Sequence, residues 1–192
     1  MQLLHAMTLT TALSTLLLAA PQTGKNEPVK EIVQTGKAAT KLLLKTLGSN
    51  MKKNMKAGGP MQALDFCSQK AYTLTEDVNK ELPKGVSIKR ISLRYRNPVN
   101  EPAADEKAVL ESLEDLKKAA VILPKHIVQK VNANEYKFYK PLVINKKVCL
   151  KCHGTLKDME LKRAIEERYP LDKAMGYKMG DLRGAVVVTI KK

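Results

Sequence analysis

The sequence predicts an α+β fold in which long N-terminal helices pack against one antiparallel sheet. Two observations carry this prediction. Apolar residues recur at helical spacing through residues 28–78, whereas short alternating or β-branched segments predominate after residue 85. Because the helices gather early in the chain and the strands gather late, the pattern is typical of an α+β domain.

The first predicted element is a long amphipathic helix. Pro28 suits the first position of a helix, and apolar residues follow at mostly helical spacing as far as Met55. The run Gly58-Gly59-Pro60 ends this helix and begins a second one. Cys67 lies on the apolar stripe of the second helix, so we expect it to be buried. That stripe consists of Leu64, Cys67, Ala71, Leu74 and Val78.

Shorter elements follow the two helices. Residues 86–95 alternate between apolar and polar, and a phase slip near Arg90 predicts a β-bulge. After a proline-containing loop, Asp105 is the predicted cap of a third helix. Further strands are predicted at 127–131, 135–139, 142–144 and 184–190, and a polar helix at 158–168.

The N-terminus resembles an export signal. Residues 1–24 carry no Lys, Arg, Asp or Glu, and residues 9–20 form an apolar core that ends in Ala19-Ala20. An uncleaved membrane anchor is the alternative, because the segment before that core lacks a basic side chain. We therefore predict a periplasmic or otherwise exported protein. Its predicted parts are a signal peptide over residues 1–20, a polar lead over 21–27 and a single domain over 28–192.

The most informative motif is Cys149-Leu150-Lys151-Cys152-His153. C-x-x-C-H is the attachment sequence of c-type haem: the two thiols form thioethers with the haem, and the adjoining imidazole becomes an axial ligand of the iron. The chain has only 3 Cys and 3 His among 192 residues, so a chance match is expected in about one chain in a thousand. The sequence therefore predicts one covalently attached haem c.

Two other interpretations of these cysteines remain open. Cys149 and Cys152 could form a thioredoxin-like dithiol, although that motif normally opens a helix in a βαβ unit and no such unit surrounds it. A structural zinc ion would have to draw on Cys67, the two motif cysteines, and His126 or His153. Neighbouring Cys152 and His153 could hardly both reach one tetrahedral ion, and no second paired motif is present.

The strongly basic composition limits the classes of partner. The formal net charge is +15 and aromatic residues make up 4% of the chain. With so few aromatic residues, no RNA-binding signature and a predicted export signal, we predict no nucleic-acid partner. Attraction to an acidic redox or signalling protein is the favoured interpretation, and a passive basic surface is the alternative. Contact with a membrane is expected only through the N-terminal segment, if it is not cleaved.

Several separated motifs, in order, resemble the Tll-like haem domain family over residues 30–190. The resemblance implies a PAS-like sheet with helices that holds one c-type haem and acts as a redox sensor. It also implies that His153 and Cys67 are the two axial ligands of the iron. The matching motifs are ALDFC (63–67), RISLRYRNP (90–98), YKPL (139–142), CLKCHG (149–154), YPLDKA (169–174), GY (176–177) and GDLRGA (180–185).

The residues alone leave the second axial ligand open. A lone cysteine on an apolar helical face is usually a small core residue, and methionine thioethers are the competing ligands. The arginines in the family-like motifs offer donors suited to haem propionates, and Arg96 and Arg183 are the predicted partners. The competing methionines are Met51, Met55, Met61, Met159, Met175 and Met179.

The choice of second ligand determines the predicted function. A thiolate from Cys67 stabilises ferric iron and suits a redox or ligand sensor, whereas a neutral methionine raises the reduction potential and suits an electron carrier. A haem-free thiol oxidoreductase is the third hypothesis. The sequence contains no nucleophile constellation, so it gives no reason to predict an enzyme.

Overall fold

The computed structural model describes residues 27–192. The predicted signal peptide, residues 1–20, lies outside the described residues. The predicted polar lead does as well, except for Glu27, where the first helix begins. Within residues 27–192, no helix combines the length and the apolar character needed to cross a bilayer.

The N-terminal helices follow the predicted order. Helix α1, Glu27–Gln69, is 43 residues long and is kinked at Gly58 and Gly59, where the backbone leaves helical values. Gly59 has a φ of +68°, a left-handed conformation that favours glycine. The predicted break is therefore confirmed. Helix α2, Ala71–Glu81, follows after Lys70, so the predicted second helix is divided at that residue.

Four strands form one antiparallel sheet in the order β1-β4-β3-β2. The segments predicted at 135–139 and 142–144 are one continuous strand. Pro141 interrupts little because it lies beyond the last pair between β2 and β3, so β3 has a neighbour on only one side there. The strands are β1 Val86–Ile91, β2 Ile127–Lys130, β3 Glu135–Val143 and β4 Leu182–Lys191.

The bulge predicted near Arg90 is wrong. Strand β1 pairs with β4 in continuous register from Val86 to Ile91, and the register shift falls between Leu142 and Val143 instead. The apolar phase changes because both faces of the sheet are covered. Ile88 packs with α1 and α2, while Ile91 packs with the third helix. The strand also ends earlier than predicted.

Three further helices complete the fold: α3 Ala104–Lys118, α4 Leu150–His153 and α5 Met159–Arg168. The predicted cap at Asp105 is wrong, because the N-cap is Ala103 and α3 begins at Ala104. The carboxylate of Glu106 accepts a hydrogen bond from the backbone N–H of Ala103 at 2.9 Å, whereas Asp105 accepts one from Lys137 Nζ at 2.6 Å. A glutamate inside the first turn thus caps the helix from within.

The hydrophobic core lies on both faces of the sheet. Helices α1 and α2 cover one face, and α3 covers the other. This arrangement confirms the predicted α+β class, with long N-terminal helices packed against an antiparallel sheet. The first face buries Ile32, Ala39, Leu43, Leu47, Ala71, Val78, Ile88, Phe138, Val186, Val188 and Ile190. The second buries Ile91, Leu110, Leu113, Tyr139, Leu182, Ala185 and Val187.

The contact between α1 and the sheet depends on Gly36. A Cβ atom at this position would overlap the buried ring of Phe138. We therefore expect Gly36→Ala to lower the free energy of unfolding by about 1–3 kcal/mol through overpacking. Urea denaturation measures this change. Gly48 of the same helix is the matched control, because a Cβ there meets nothing within 4 Å. Gly48→Ala should be stabilising by roughly 0.5–1 kcal/mol; equal effects at the two positions would contradict this account.

Candidate functional site

A cavity of about 330 Å³ lies between α1, the sheet and α4. It brings together all six residues that the sequence singled out. Cys67 comes from the part of α1 beyond the kink, and the three residues of the C-x-x-C-H motif come from α4 and the turn before it. Arg96 follows β1, and Arg183 lies on β4. The residues singled out are Cys67, Arg96, Cys149, Cys152, His153 and Arg183.

His153 is held in one orientation by the loop before β4. Its Nδ1–H donates a hydrogen bond to the carbonyl of Ala174 at 2.9 Å, which leaves a lone pair on Nε2. The backbone N–H of Tyr177 donates to the carbonyl of His153 at 2.8 Å. Burial lowers the pKa of His153 well below its usual value, and the charges of Arg183 and Arg96 lower it further. The imidazole is therefore neutral at pH 7 and able to bind a metal.

Arg96 forms hydrogen bonds that connect α4, the helix with Cys152 and His153, to the same loop. Its guanidinium donates to the carbonyl of Cys152 at 2.7 Å and to that of Ala174 at 3.3 Å, and it lies 3.1 Å from the carboxylate of Asp172. Both partners of this ion pair are buried. Such a charge-assisted network fixes the position of α4 against the cavity.

Arg183 is anchored by residues that follow β1. Its Nη1 donates to the hydroxyl of Ser92 at 2.7 Å and to the carbonyl of Arg94 at 3.1 Å. Its guanidinium also lies 5.4 Å from the centre of the Tyr177 ring. Arg96 and Arg183 thus both line the cavity, with part of their donor capacity already used by oxygen atoms of the protein.

The cysteines of the cavity are free thiols. Burial raises the pKa of Cys67, and the charge of Arg90 opposes this only in part. Burial also raises the pKa of Cys152, against the charge of Arg96. Reactive dithiols have the opposite property, a thiol pKa lowered by a helix N-terminus or by nearby cations. Cys152 therefore lacks the lowered thiol pKa that is typical of a disulfide-exchanging dithiol.

Not every residue of the site was predicted from the sequence. Arg90 lines the cavity beside Cys67, and the phase slip that was interpreted as a bulge was its signal. Met51 and Met55, which were predicted as competing ligands, lie one helical turn apart on α1 and line the cavity as well. His126 is not part of the lining and stacks on Phe138 with ring centres 5.3 Å apart.

A family model described as Tll0287-like matches residues 24–191. The chain belongs to the Tll0287-like family. The match confirms the resemblance drawn from the separated motifs and includes every residue that lines the cavity. No curated protein matches the chain.

A solved structure supports the Tll0287-like fold independently. The chain aligns with the structure titled "Crystal structure of the cyanobacterial heme-protein Tll0287" at a TM-score of 0.59 and 21% sequence identity. The alignment covers 91% of this chain and 98% of the other. The likeness therefore extends over the whole Tll0287-like domain, helices and sheet together.

Proposed function

We propose that this protein is an exported cytochrome with one covalently attached haem c in the cavity described above. One observation carries the proposal: the two thiols of the C-x-x-C-H motif and a neutral, oriented imidazole line the same cavity. The solved relative of the same fold is titled a heme-protein. In this proposal Cys149 and Cys152 supply the two thioether sulfurs, and His153 supplies one axial ligand.

The lining of the cavity suits such a group. Haem joins a flat apolar ring to two carboxylates, and the cavity combines apolar side chains with buried cations. Arg96 has a buried Nε atom without a hydrogen-bond partner among residues 27–192, so it retains a donor for a carboxylate. The apolar side chains include Met51, Met55, Ala63, Leu64, Leu142, Ile144 and Val148.

The function proposed is redox or ligand sensing, with Cys67 as the second axial ligand. When bound, the haem supplies a one-electron iron couple. Cys67 in the thiolate form favours the oxidised state, and its protonation on reduction would release the side chain. Because Cys67 lies on the helical segment that follows the kink at Gly58 and Gly59, residues 60–69 can then move as a unit. A redox or signalling protein, attracted by the net charge of +15, would respond to this movement.

We expect reduction to increase amide hydrogen exchange in residues 60–69, because release of Cys67 removes the tether that holds this segment to the cavity. Mass spectrometry of peptic peptides from oxidised and reduced protein measures the effect. Peptides from α3 are the internal control, since that helix packs on the other face of the sheet. Identical exchange in the two redox states would argue against the sensor.

Electron transfer is the second candidate function. Met51 and Met55 line the same cavity as His153, so either thioether could replace Cys67 as the axial ligand. A neutral methionine would raise the reduction potential into the range of an ordinary electron carrier. The other four methionines named above do not line the cavity.

The remaining hypotheses have less support. Burial raises the pKa of Cys152, which slows thiol–disulfide exchange and weakens the case for a haem-free oxidoreductase. A structural zinc ion needs four ligands. In the part of the chain that the structure describes, no three His, Cys, Asp or Glu side chains are grouped to hold a metal ion.

We expect the exported protein to keep its haem after denaturation, because thioether bonds survive detergent and heat. Haem staining of a denaturing gel, after expression in a host with a periplasmic haem-attachment system, is the measurement. Replacing both Cys149 and Cys152 by serine should abolish the stain. The control is Cys67→Ser, which should keep it because Cys67 forms no thioether. An unstained wild-type band beside a stained cytochrome c standard would refute the proposed function.

A further inference from the structure

Three arginines line the cavity: Arg90, Arg96 and Arg183. Two of them donate to oxygen atoms of the protein, Arg96 to Cys152 and Ala174, and Arg183 to Ser92 and Arg94. Arg90 differs. Its side chain donates no hydrogen bond to any of residues 27–192, and no carboxylate in that range forms an ion pair with its guanidinium; its buried Nε is unpartnered, as is that of Arg96.

An unpaired cation in this position is costly. Arg90 extends from the cavity side of β1, two residues after buried Ile88. Burial lowers the pKa of Arg90, yet a guanidinium keeps its proton in proteins. Arg90 as a whole is half-buried but its Nε is buried, and native proteins pair charged groups that are removed from water. The cavity therefore holds a cation that no side chain among residues 27–192 neutralises.

The nearby side chains do not supply the missing anion. Burial raises the pKa of Tyr169 to about 12, so this phenol is neutral. Cys67 lies close enough to influence Arg90 electrostatically, but Arg90 donates no hydrogen bond to its sulfur. The partner that best matches a planar guanidinium is a carboxylate, which can accept two parallel N–H bonds.

We propose that Arg90 binds a propionate carboxylate of the haem, an assignment that rests on the proposed function. The role had been predicted for Arg96 and Arg183, but their donors are partly used in holding the protein together. Within residues 27–192, no protein oxygen atom uses the guanidinium donors of Arg90, which leaves them for a ligand. It would attach the propionate edge of the cofactor to β1, while Cys149 and Cys152 hold the edge with the thioethers.

The test uses the exported, haem-loaded protein and the variants Arg90→Gln and Arg90→Lys. Resonance Raman spectroscopy measures the propionate bending band, whose frequency falls when a hydrogen bond to the carboxylate is lost. A redox titration measures the reduction potential. Arg90→Gln should shift the band downward and make the potential more negative, because removal of a cation favours ferric iron. Arg90→Lys should preserve most of the potential and still shift the band, because lysine cannot form the bidentate pair.

The control is Arg163→Gln, which removes the same charge from an exposed position on α5 and should leave both measurements unchanged. A propionate band that stays in place in both Arg90 variants would overturn the assignment. An effect of the Arg90 variants on the thiolate absorption alone would also overturn the assignment, because Cys67 would then be the partner of Arg90. If Arg90→Gln does not fold, the band of Arg90→Lys decides. A wild-type protein without haem would overturn the proposed function together with this inference, whereas a haem-loaded protein with an insensitive band refutes the inference alone.

Discussion

Cys67→Ser is expected to remove the thiolate signature from the spectra of the oxidised protein and to raise its reduction potential. A thiolate donates negative charge to the iron and stabilises the ferric state, whereas a serine hydroxyl is a weak neutral ligand. Electron paramagnetic resonance and optical spectra of the haem-loaded protein detect the ligand, and a redox titration measures the potential. Of all the substitutions considered, this one should change the electronic state of the site the most.

Matched controls exist on the same helix. Met51 and Met55 line the cavity, and leucine at either position keeps the apolar volume while removing the thioether. Under Cys67 ligation, Met51→Leu and Met55→Leu leave the spectra unchanged. A spectrum that survives Cys67→Ser and changes in one of the leucine variants would instead establish methionine ligation, and with it the electron carrier.

Glu106→Gln is expected to lower the free energy of unfolding by about 3 kcal/mol, because it removes one charge from a buried ion cluster. The Glu106 carboxylate is almost fully buried on the α3 face of the sheet, 2.8 Å from Lys89 Nζ and 3.2 Å from Lys137 Nζ. Lys137 keeps Asp105 at 2.6 Å, but that carboxylate is partly exposed. Urea denaturation followed by far-ultraviolet circular dichroism measures the loss.

The same cluster predicts a pH dependence. Burial would raise the pKa of Glu106, but Lys89, the Ala103 N–H and Lys137 outweigh it and hold the pKa below the usual value. A carboxyl group with a lowered pKa in the folded state contributes stability above the pKa of the unfolded chain, about 4.3, and loses it as the pH falls. We therefore expect the free energy of unfolding of Glu106→Gln to fall less steeply with decreasing pH than that of the wild-type protein.

Glu111 of the same helix provides the control for the Glu106 prediction. Its side chain is about half exposed and forms only a loose pair with Lys107 at 3.7 Å. Glu111→Gln should therefore change the free energy of unfolding by less than about 0.5 kcal/mol and leave its dependence on acidic pH unchanged. Similar effects of the two substitutions would mean that the buried ion cluster contributes no more than a surface pair.

Features encoded by neighbouring residues could be predicted from the sequence. The C-x-x-C-H motif is contiguous, and its residues line one cavity because α4 and the turn immediately before it carry them. The break at Gly58 and Gly59 is likewise local, since glycine and proline act on the backbone where they stand. The helical period also predicted that Cys67 lies on the inward-facing stripe; the side chain is half-buried there and lines the cavity.

Features that depend on distant partners could not be predicted. A bulge was predicted near Arg90 because the alternation of apolar and polar residues changes phase there. For a strand with one buried face, a bulge explains such a change. The sheet is in fact covered on both faces, which only tertiary structure reveals. The loop that orients His153 was also hidden, since nothing in its sequence indicates that Ala174 offers its carbonyl to an imidazole 21 residues earlier.

The carbonyl of Ala174 serves two donors at once, His153 Nδ1 and Arg96 Nη2. A guanidinium that withdraws electron density from this oxygen weakens the acceptor available to the imidazole, and so makes Nε2 a poorer electron donor. Any disturbance of Arg96, such as a change in its pairing with Asp172, would therefore alter the donor strength of His153 without touching the ring. The shared carbonyl thus couples the buried Arg96–Asp172 ion pair electronically to the imidazole in the cavity.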